Sequence, residues 1–310
     1  MICGENRRKL QETKTMSAIK RQELLRLVPE ALPITRQWLM ARDMELDRHA
    51  VDNLVKSGQL VSLAHGVYMR PGTTLTWEGV VCCLQNILKT DLTVGGLTAL
   101  ELKGLSHYVA LSSKRVIHLY GKDPLPKWIN GILPDVEFTR HKVLFGPSDG
   151  LGATGLVVDE YDPGKKKLYD VSSTATYAYD TELAEVSWPF TRSSPERAYL
   201  EVLMDVPETM SFEHADQLMQ GLTILSPRRL EKLLKITTNI KVRRLFYWFA
   251  ERHQYAWFKK LPSPLALDEL GLGSGKRMLA EGGKLDAKYM ITVPEDMWAQ
   301  AQNTTGKSSY

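Results

Sequence analysis

Residues 47–70 read DRHAVDNLVKSGQLVSLAHGVYMR, and this stretch decides the fold of the N-terminal part of the chain. Asp47 is of the residue type that caps a helix by accepting a backbone N–H, and Gly58 supplies a left-handed stop. A helix is therefore predicted from Asp47 to Ser57. Val51, Leu54 and Val55 obey the i, i+3, i+4 rule and share its inner face, which leaves His49, Asn53 and Lys56 on an outer face that is polar and partly cationic. Beyond the glycine, Leu60–Leu63, the turn Ala64-His65-Gly66 and Val67–Met69 read as two brief strands around a tight turn. Working outward, Thr35 is a good N-cap for a preceding helix. Ile34 and Leu39 sit at the two positions of a hydrophobic staple, and Trp38 joins Leu39 on the buried side. Further back, Ile19, Leu24, Leu25, Leu27 and Val28 recur at helical spacing from Ser17 until Pro29 prevents continuation. Three short helices followed by a hairpin predict a winged helix-turn-helix over residues 17–72.

A helix-turn-helix lays its recognition helix in the major groove with the preceding helix across the backbone, and a wing adds phosphate or minor-groove contacts. The expected DNA-binding residues are Thr35, Arg36, Arg48, His49, Asn53, Lys56, His65 and Arg70. Arg36 and Arg48, in first turns of their helices, suit phosphate or plain solvation. Asn53 suits a base, because a side-chain amide can pair bidentately with adenine. The competing reading is a protein-interaction module or a cap on the second domain, since this geometry is also used off DNA.

Charge distribution points the same way. The formal net charge is only +4, but residues 1–72 carry 12 Lys plus Arg against 8 Asp plus Glu, whereas residues 73–310 carry 28 of each, so the whole excess lies in the N-terminal piece. A second local excess runs from Arg228 to Lys260, where ten basic residues face only Glu231 and Glu251. Clustered positive charge is the footprint of an anionic partner, with a solvated helix face as the plainer explanation. The longest apolar runs are far shorter than the roughly 20 residues of a bilayer span. The polar start lacks a signal-peptide core. A soluble, cytoplasmic protein is expected, without a membrane partner. Cys3, Cys82 and Cys83 allow neither a disulfide framework nor a four-ligand zinc site.

With 310 residues, two domains are expected: a flexible leader at 1–16, the winged domain at 17–72, and a larger mixed α/β domain at 73–310, giving an α+β chain. In the larger domain Thr76 caps a helix from Trp77 to Leu88, which holds Cys82 and Cys83 as buried structural thiols. A Gly95-Gly96 turn leads to a helix at Leu97–Leu102. A β-rich middle follows, with strands at Val116–Tyr120, Val136–His141, Leu156–Glu160, Lys166–Val171 and Ala184–Trp188. Ser194-Pro195 and Ser226-Pro227 each place a cap before a first-turn proline, opening a helical C-terminal half.

Several patterns resemble chemistry and fail on detail. Gly271-Leu272-Gly273-Ser274-Gly275-Lys276-Arg277 lacks the first glycine and the Ser or Thr of a phosphate loop, and Lys276 occupies the third glycine of a dinucleotide fingerprint. It reads as a plain basic turn or as a loop able to hold an anion on its amides. Asp268, Asp286 and Lys288 have the bare spacing of a Mg-dependent nuclease, a pattern frequent by chance. The histidines His107, His118, His141, His214 and His253 show no ligand spacing and read as structural. In Arg243-Arg244-Leu245-Phe246-Tyr247-Trp248-Phe249, helical spacing puts Leu245, Trp248 and Phe249 in a core and projects Lys241 and Arg244 as a cationic surface. No catalytic residue, metal site or cofactor is expected.

The chain resembles the antitoxin and transcriptional-regulator component of AbiE-type abortive-infection systems, the type IV toxin-antitoxin systems. The resemblance is carried by NLVKSGQLVSLAHGVYMR (Asn53–Arg70), VGGLTALELKGLSHYV (Val94–Val109), SPRRLEKLL (Ser226–Leu234), KVRRLFYWFAERH (Lys241–His253) and LGSGKRMLAEGGKLDAKYMITVP (Leu272–Pro294). It implies a repressor of its own operon that binds duplex operator DNA with inverted repeats. It also implies a C-terminal antitoxin domain acting against a nucleotidyltransferase-like toxin without a stable complex. Charge and placement in these segments mark Lys241, Arg243, Arg244, Lys276 and Arg277 as the expected antitoxicity surface. A stand-alone winged-helix regulator and a nuclease remain the alternatives.

Overall fold

The structure is a computed structural model that describes residues 28–42, 48–105, 114–145, 153–154, 156–157, 169–170 and 190–299. The helix expected at 17–28 lies outside these residues except for Val28, as do the Asp47 cap and the strand expected at Ala184–Trp188. The chain is mixed α+β and divides into two compact units. The first draws on Met1–Thr90, Leu125–Glu137 and Leu156–Phe190, the second on Asp91–Pro124, Phe138–Gly155 and Thr191–Tyr310.

In the first unit the elements run β1 (Ile34–Thr35), α1 (Arg36–Arg42), α2 (Arg48–Lys56), β2 (Val61–Ala64) and β3 (Val67–Met69). Thr35 opens α1 by accepting the N–H of Trp38 on its hydroxyl at 3.2 Å. At the far end of α2, the N–H of Ser57 reaches Asn53 and that of Gly58 reaches Val55, with Gly58 at φ +70° as a left-handed stop requires. The two strands of the hairpin pair antiparallel, and β1 adds to β3, with Ile34 opposite Tyr68. This third strand was not read in the sequence. The order is compatible with a winged helix-turn-helix. Val28, Ile34, Leu39, Val51, Leu54, Leu60 and Tyr68 form one core, so the staple pair and the inner face of α2 meet inside it.

Thr76 caps α3 (Trp77–Cys82) by accepting from the Gly79 N–H. The helix expected to continue regularly to Leu88 instead widens over Cys83–Ile87, where the N–H of Leu88 reaches the carbonyl of Cys83 five residues back. Both thiols are buried beside Leu32 and Trp128, and burial pushes the Cys82 thiol up to about 11, too high for a nucleophile at neutral pH. A Cβ on Gly79 would press into the Ala31 carbonyl, so only glycine fits there. The pair β8 (Leu156–Val157) and β9 (Tyr169–Asp170) also belongs to this unit; the rest of the strands expected at Leu156–Glu160 and Lys166–Val171 lies outside the described residues.

The second unit contains β4 (Thr93–Val94), α4 (Gly96–Glu101), β5 (Arg115–Tyr120), the end of β6 (Val136–His141), β7 (Ala153–Thr154) and β10 (Arg192–Ser193), in the sheet order β6-β5-β4-β10-β7. Next come α5 (Pro195–Val202), α6 (Phe212–Gly221), α7 (Pro227–Ile236), α8 (Ile240–His253), α9 (Pro264–Leu267) and the hairpin β11 (Lys284–Asp286) with β12 (Ile291–Val293). Ser194 and Ser226 cap α5 and α7, each before a first-turn proline. The Glu201 carboxylate ties the sheet to α4 and α5. Fully buried, it accepts from Ser193 at 2.8 Å, Arg197 at 2.8 Å and the first N–H of α4 at 3.0 Å. A buried carboxylate is tolerable only with such partners. One apolar core runs from Ala99 through α5 to α8 and into β12, and every residue of α8 from Val242 to Ala250 is buried.

Candidate nucleic-acid interface and basic loop

In the first unit, α2 presents Arg48, His49, Asn53 and Lys56 to solvent, opposite buried Val51 and Leu54. His65 is exposed at the hairpin turn, where Gly66 takes φ +74°. Arg70 pairs with Glu30 at 3.2 Å in an exposed ion pair. Arg36 has other engagements. Its Nε donates to the Tyr68 hydroxyl at 3.0 Å, its Nη2 to Asp52 at 2.8 Å, and its guanidinium lies 5.8 Å from the Tyr68 ring centre. One arginine thus joins the start of α1, the middle of α2 and β3. Asp52 and Tyr68 escaped the sequence reading because nothing in residue spacing links positions 36, 52 and 68.

In the second unit the sequence placed Arg243 and Arg244 on a cationic surface, and the structure corrects this: both are fully buried. The reason is that α8 is covered all round from Val242 to Ala250, so no face of that stretch is left for solvent. Arg243 holds Asp268 with two 2.8 Å bonds and donates to the carbonyls of Thr237 and Gly271. That guanidinium keeps the Asp268 carboxyl below the usual carboxylate range. Arg244 donates to four carbonyls: Leu272 at 2.8 Å, Gly275 at 2.7 Å, Met290 at 2.9 Å and Ser274 at 3.3 Å. Together the two arginines hold the glycine-rich loop from within. Lys276 and Arg277 are exposed on its outer side, and the backbone of Arg277 docks on β12 through the Met290 carbonyl and the Thr292 N–H. Lys241 is half-buried, with its ammonium on the carbonyls of Met204 and Val206. Burial pulls that ammonium's pKa down, Glu208 and Asp205 oppose the fall, and Arg277 adds to it.

The residues suggestive of a nuclease are held by separate partners. Asp268 is occupied by Arg243. Asp286 accepts from the backbone of Lys288 and Tyr289 and from the Trp248 indole, and Lys288 pairs with Glu251. Among the described residues no group of three His, Cys, Asp or Glu is placed to hold a metal ion. Three histidines are engaged within this unit: His118 meets His141 at 2.8 Å, His141 reaches Asp205 at 3.1 Å, and His253 reaches Asp216 at 2.9 Å. Among the described residues no helix is long and apolar enough to cross a membrane.

These features define a mixed α+β chain whose N-terminal elements are compatible with a winged helix-turn-helix. The model of the family described as transcriptional regulator, AbiEi antitoxin, type IV TA system matches residues 114–294, and that of its N-terminal domain matches residues 17–111. The chain belongs to this family of type IV antitoxin transcriptional regulators. Nothing among curated proteins matches it. The crystal structure of the RV2827C protein from Mycobacterium tuberculosis is similar, at 15% identity and a TM-score of 0.47, over 89% of this chain and 90% of that one.

Proposed function

We propose that this chain is the antitoxin of a type IV abortive-infection operon and the DNA-binding autorepressor of that operon, with no enzymatic activity of its own and a cytoplasmic site of action. Residues 17–72 bind duplex operator DNA carrying inverted repeats. Residues 73–310 counteract a nucleotidyltransferase-like toxin without forming a stable complex. The observation that carries the DNA-binding half is the exposed row of His49, Asn53 and Lys56 on α2, on the face opposite Val51 and Leu54 and in the same small unit as the exposed hairpin turn at His65. That combination offers amide and imidazole groups to bases and ammonium groups to phosphates. With Arg243 and Arg244 inside, the exposed part of the antitoxicity surface is Lys276 and Arg277, with Lys241 half-buried.

The test uses the full chain on the promoter of its own operon, by fluorescence anisotropy over a salt series. Binding should weaken steeply with salt, because each neutralised phosphate releases counterions. Equal affinity at low and high salt, or none for that promoter, overturns the DNA-binding reading. Co-expression with the product of the adjacent gene tests the other half: rescue is expected, and repression without rescue makes the chain a stand-alone regulator.

A further inference from the structure

Arg244 is a buried cation without a carboxylate. Among the described residues it forms no ion pair, and its charge is met only by the four carbonyls of Leu272, Ser274, Gly275 and Met290. Lys276 and Arg277 likewise pair with no acidic group among the described residues. Buried charge is normally compensated by an opposite one, and here, among the described residues, carbonyl dipoles alone surround the guanidinium of Arg244.

Backbone geometry adds donors. Gly273 and Gly275 take φ +63° and +79°, which lets the loop turn successive carbonyls onto one guanidinium. In a trans peptide the C=O and N–H point in opposite directions. Drawing the Ser274 and Gly275 carbonyls toward Arg244 therefore turns the N–H groups of Gly275 and Lys276 away from it. Among the described residues neither N–H donates to another group. Both residues are exposed, so two amides that are unpaired among the described residues adjoin the exposed Lys276 and Arg277.

We infer that the loop Leu272–Arg277 is a binding site for a phosphate group, either free or carried by a nucleotide. The N–H groups of Gly275 and Lys276 donate to its oxygens, Lys276 and Arg277 neutralise it, and Arg244 stays beneath as a fixed positive charge that shapes the loop without touching the ligand. Adjacent backbone amides backed by positive charge are a common way for loops to hold oxyanions. Binding itself does not depend on the antitoxin reading; its use in antitoxicity rests on that reading.

The full chain, labelled with 15N-glycine and 15N-lysine, is titrated with inorganic phosphate and, separately, with a nucleoside monophosphate, against chloride at matched ionic strength. The Gly275 and Lys276 amides should shift and saturate with phosphate and not with chloride. A lower saturating concentration for the nucleotide assigns it as the ligand, and equal concentrations assign phosphate alone. Lys276→Gln with Arg277→Gln, both exposed and safe for the fold, should weaken saturation at least tenfold. Shifts that never saturate, or that persist unchanged in this double variant, overturn the site. Rescue from toxin in the same variant separates the two ideas: lost phosphate binding with intact rescue keeps the site and removes the antitoxicity assignment.

Discussion

Arg36 on α1 and Asp52 on α2 form a 2.8 Å ion pair, and the same guanidinium donates to the hydroxyl of Tyr68 on β3. Two helices and the hairpin are therefore clamped by one side chain. A clamp and a phosphate contact make different predictions. Arg36→Ala should weaken DNA binding while leaving the salt slope unchanged, because no released counterion belongs to it. Loss of a phosphate contact lowers that slope by about 1. In a double-mutant cycle with Asp52→Ala, the pair should show a stability coupling of about 0.2–1 kcal/mol, the range for partly exposed pairs. A slope reduced by one unit in Arg36→Ala would return this arginine to the DNA backbone.

If α2 is the recognition helix, as proposed, its exposed face should divide by role. Asn53→Ala should cost about 1–3 kcal/mol on the cognate site and relax base preference, if its amide reads an adenine bidentately. Arg48→Ala and Lys56→Ala should weaken all sequences alike and flatten the salt dependence. Competition assays with single-base operator variants check both. An Asn53→Ala protein with unchanged affinity and preference shows that another residue reads the base.

The parts of this fold legible in the sequence are those decided within a few residues. Thr35, Thr76, Ser194 and Ser226 all cap where the sequence places a cap, since a hydroxyl and an N–H three residues on need no tertiary information. The core positions Leu245, Trp248 and Phe249 were legible from helical periodicity. Arg244 was not, because the amphipathic rule assumes one wet face and α8 has none. What covers the expected polar face is a loop about thirty residues further on, whose carbonyls substitute for water around the guanidinium. The relay of His118, His141 and Asp205 was invisible for a similar reason: it joins β5, β6 and the segment after α5, and no spacing rule connects them.

That relay makes stability depend on pH. Burial pulls His118 from its ordinary value of about 6.5 down to about 4, with His141 adding to the fall and Asp205 opposing it. Tyr120 stacks on His141, and Thr98 accepts from the His118 backbone N–H. The unfolded chain then binds a proton between pH 6.5 and 4 that the folded chain refuses. The stability contribution is whole above about pH 6.5 and is lost as the pH falls toward 4, by at most about 3 kcal/mol. Melting temperatures measured over this window should fall on acidification, and less steeply in His118→Gln. An identical pH slope in wild type and variant removes His118 as the cause.

The burial of Arg243 decides how the proposed antitoxicity surface can be probed. Charge reversal is informative only where the side chain is free to change sign in water, and Arg243 is fully buried against Asp268, Thr237 and Gly271. Arg243→Glu would set a carboxylate beside Asp268 and leave two buried carbonyls without donors. Breaking a buried pair costs about 3–5 kcal/mol, a large part of a typical domain's stability. The variant should therefore melt many degrees lower or fail to fold, and its loss of rescue would report loss of structure. Asp268→Asn, which keeps one acceptor for Arg243 at the more exposed end of the pair, should cost less. Lys276→Glu, on the outer side of the loop, should melt as the wild type does, so its effect on rescue reads the surface alone. The check is a thermal melt of the three variants beside wild type. A wild-type melt for Arg243→Glu would contradict the burial of this arginine and restore it to the cationic surface.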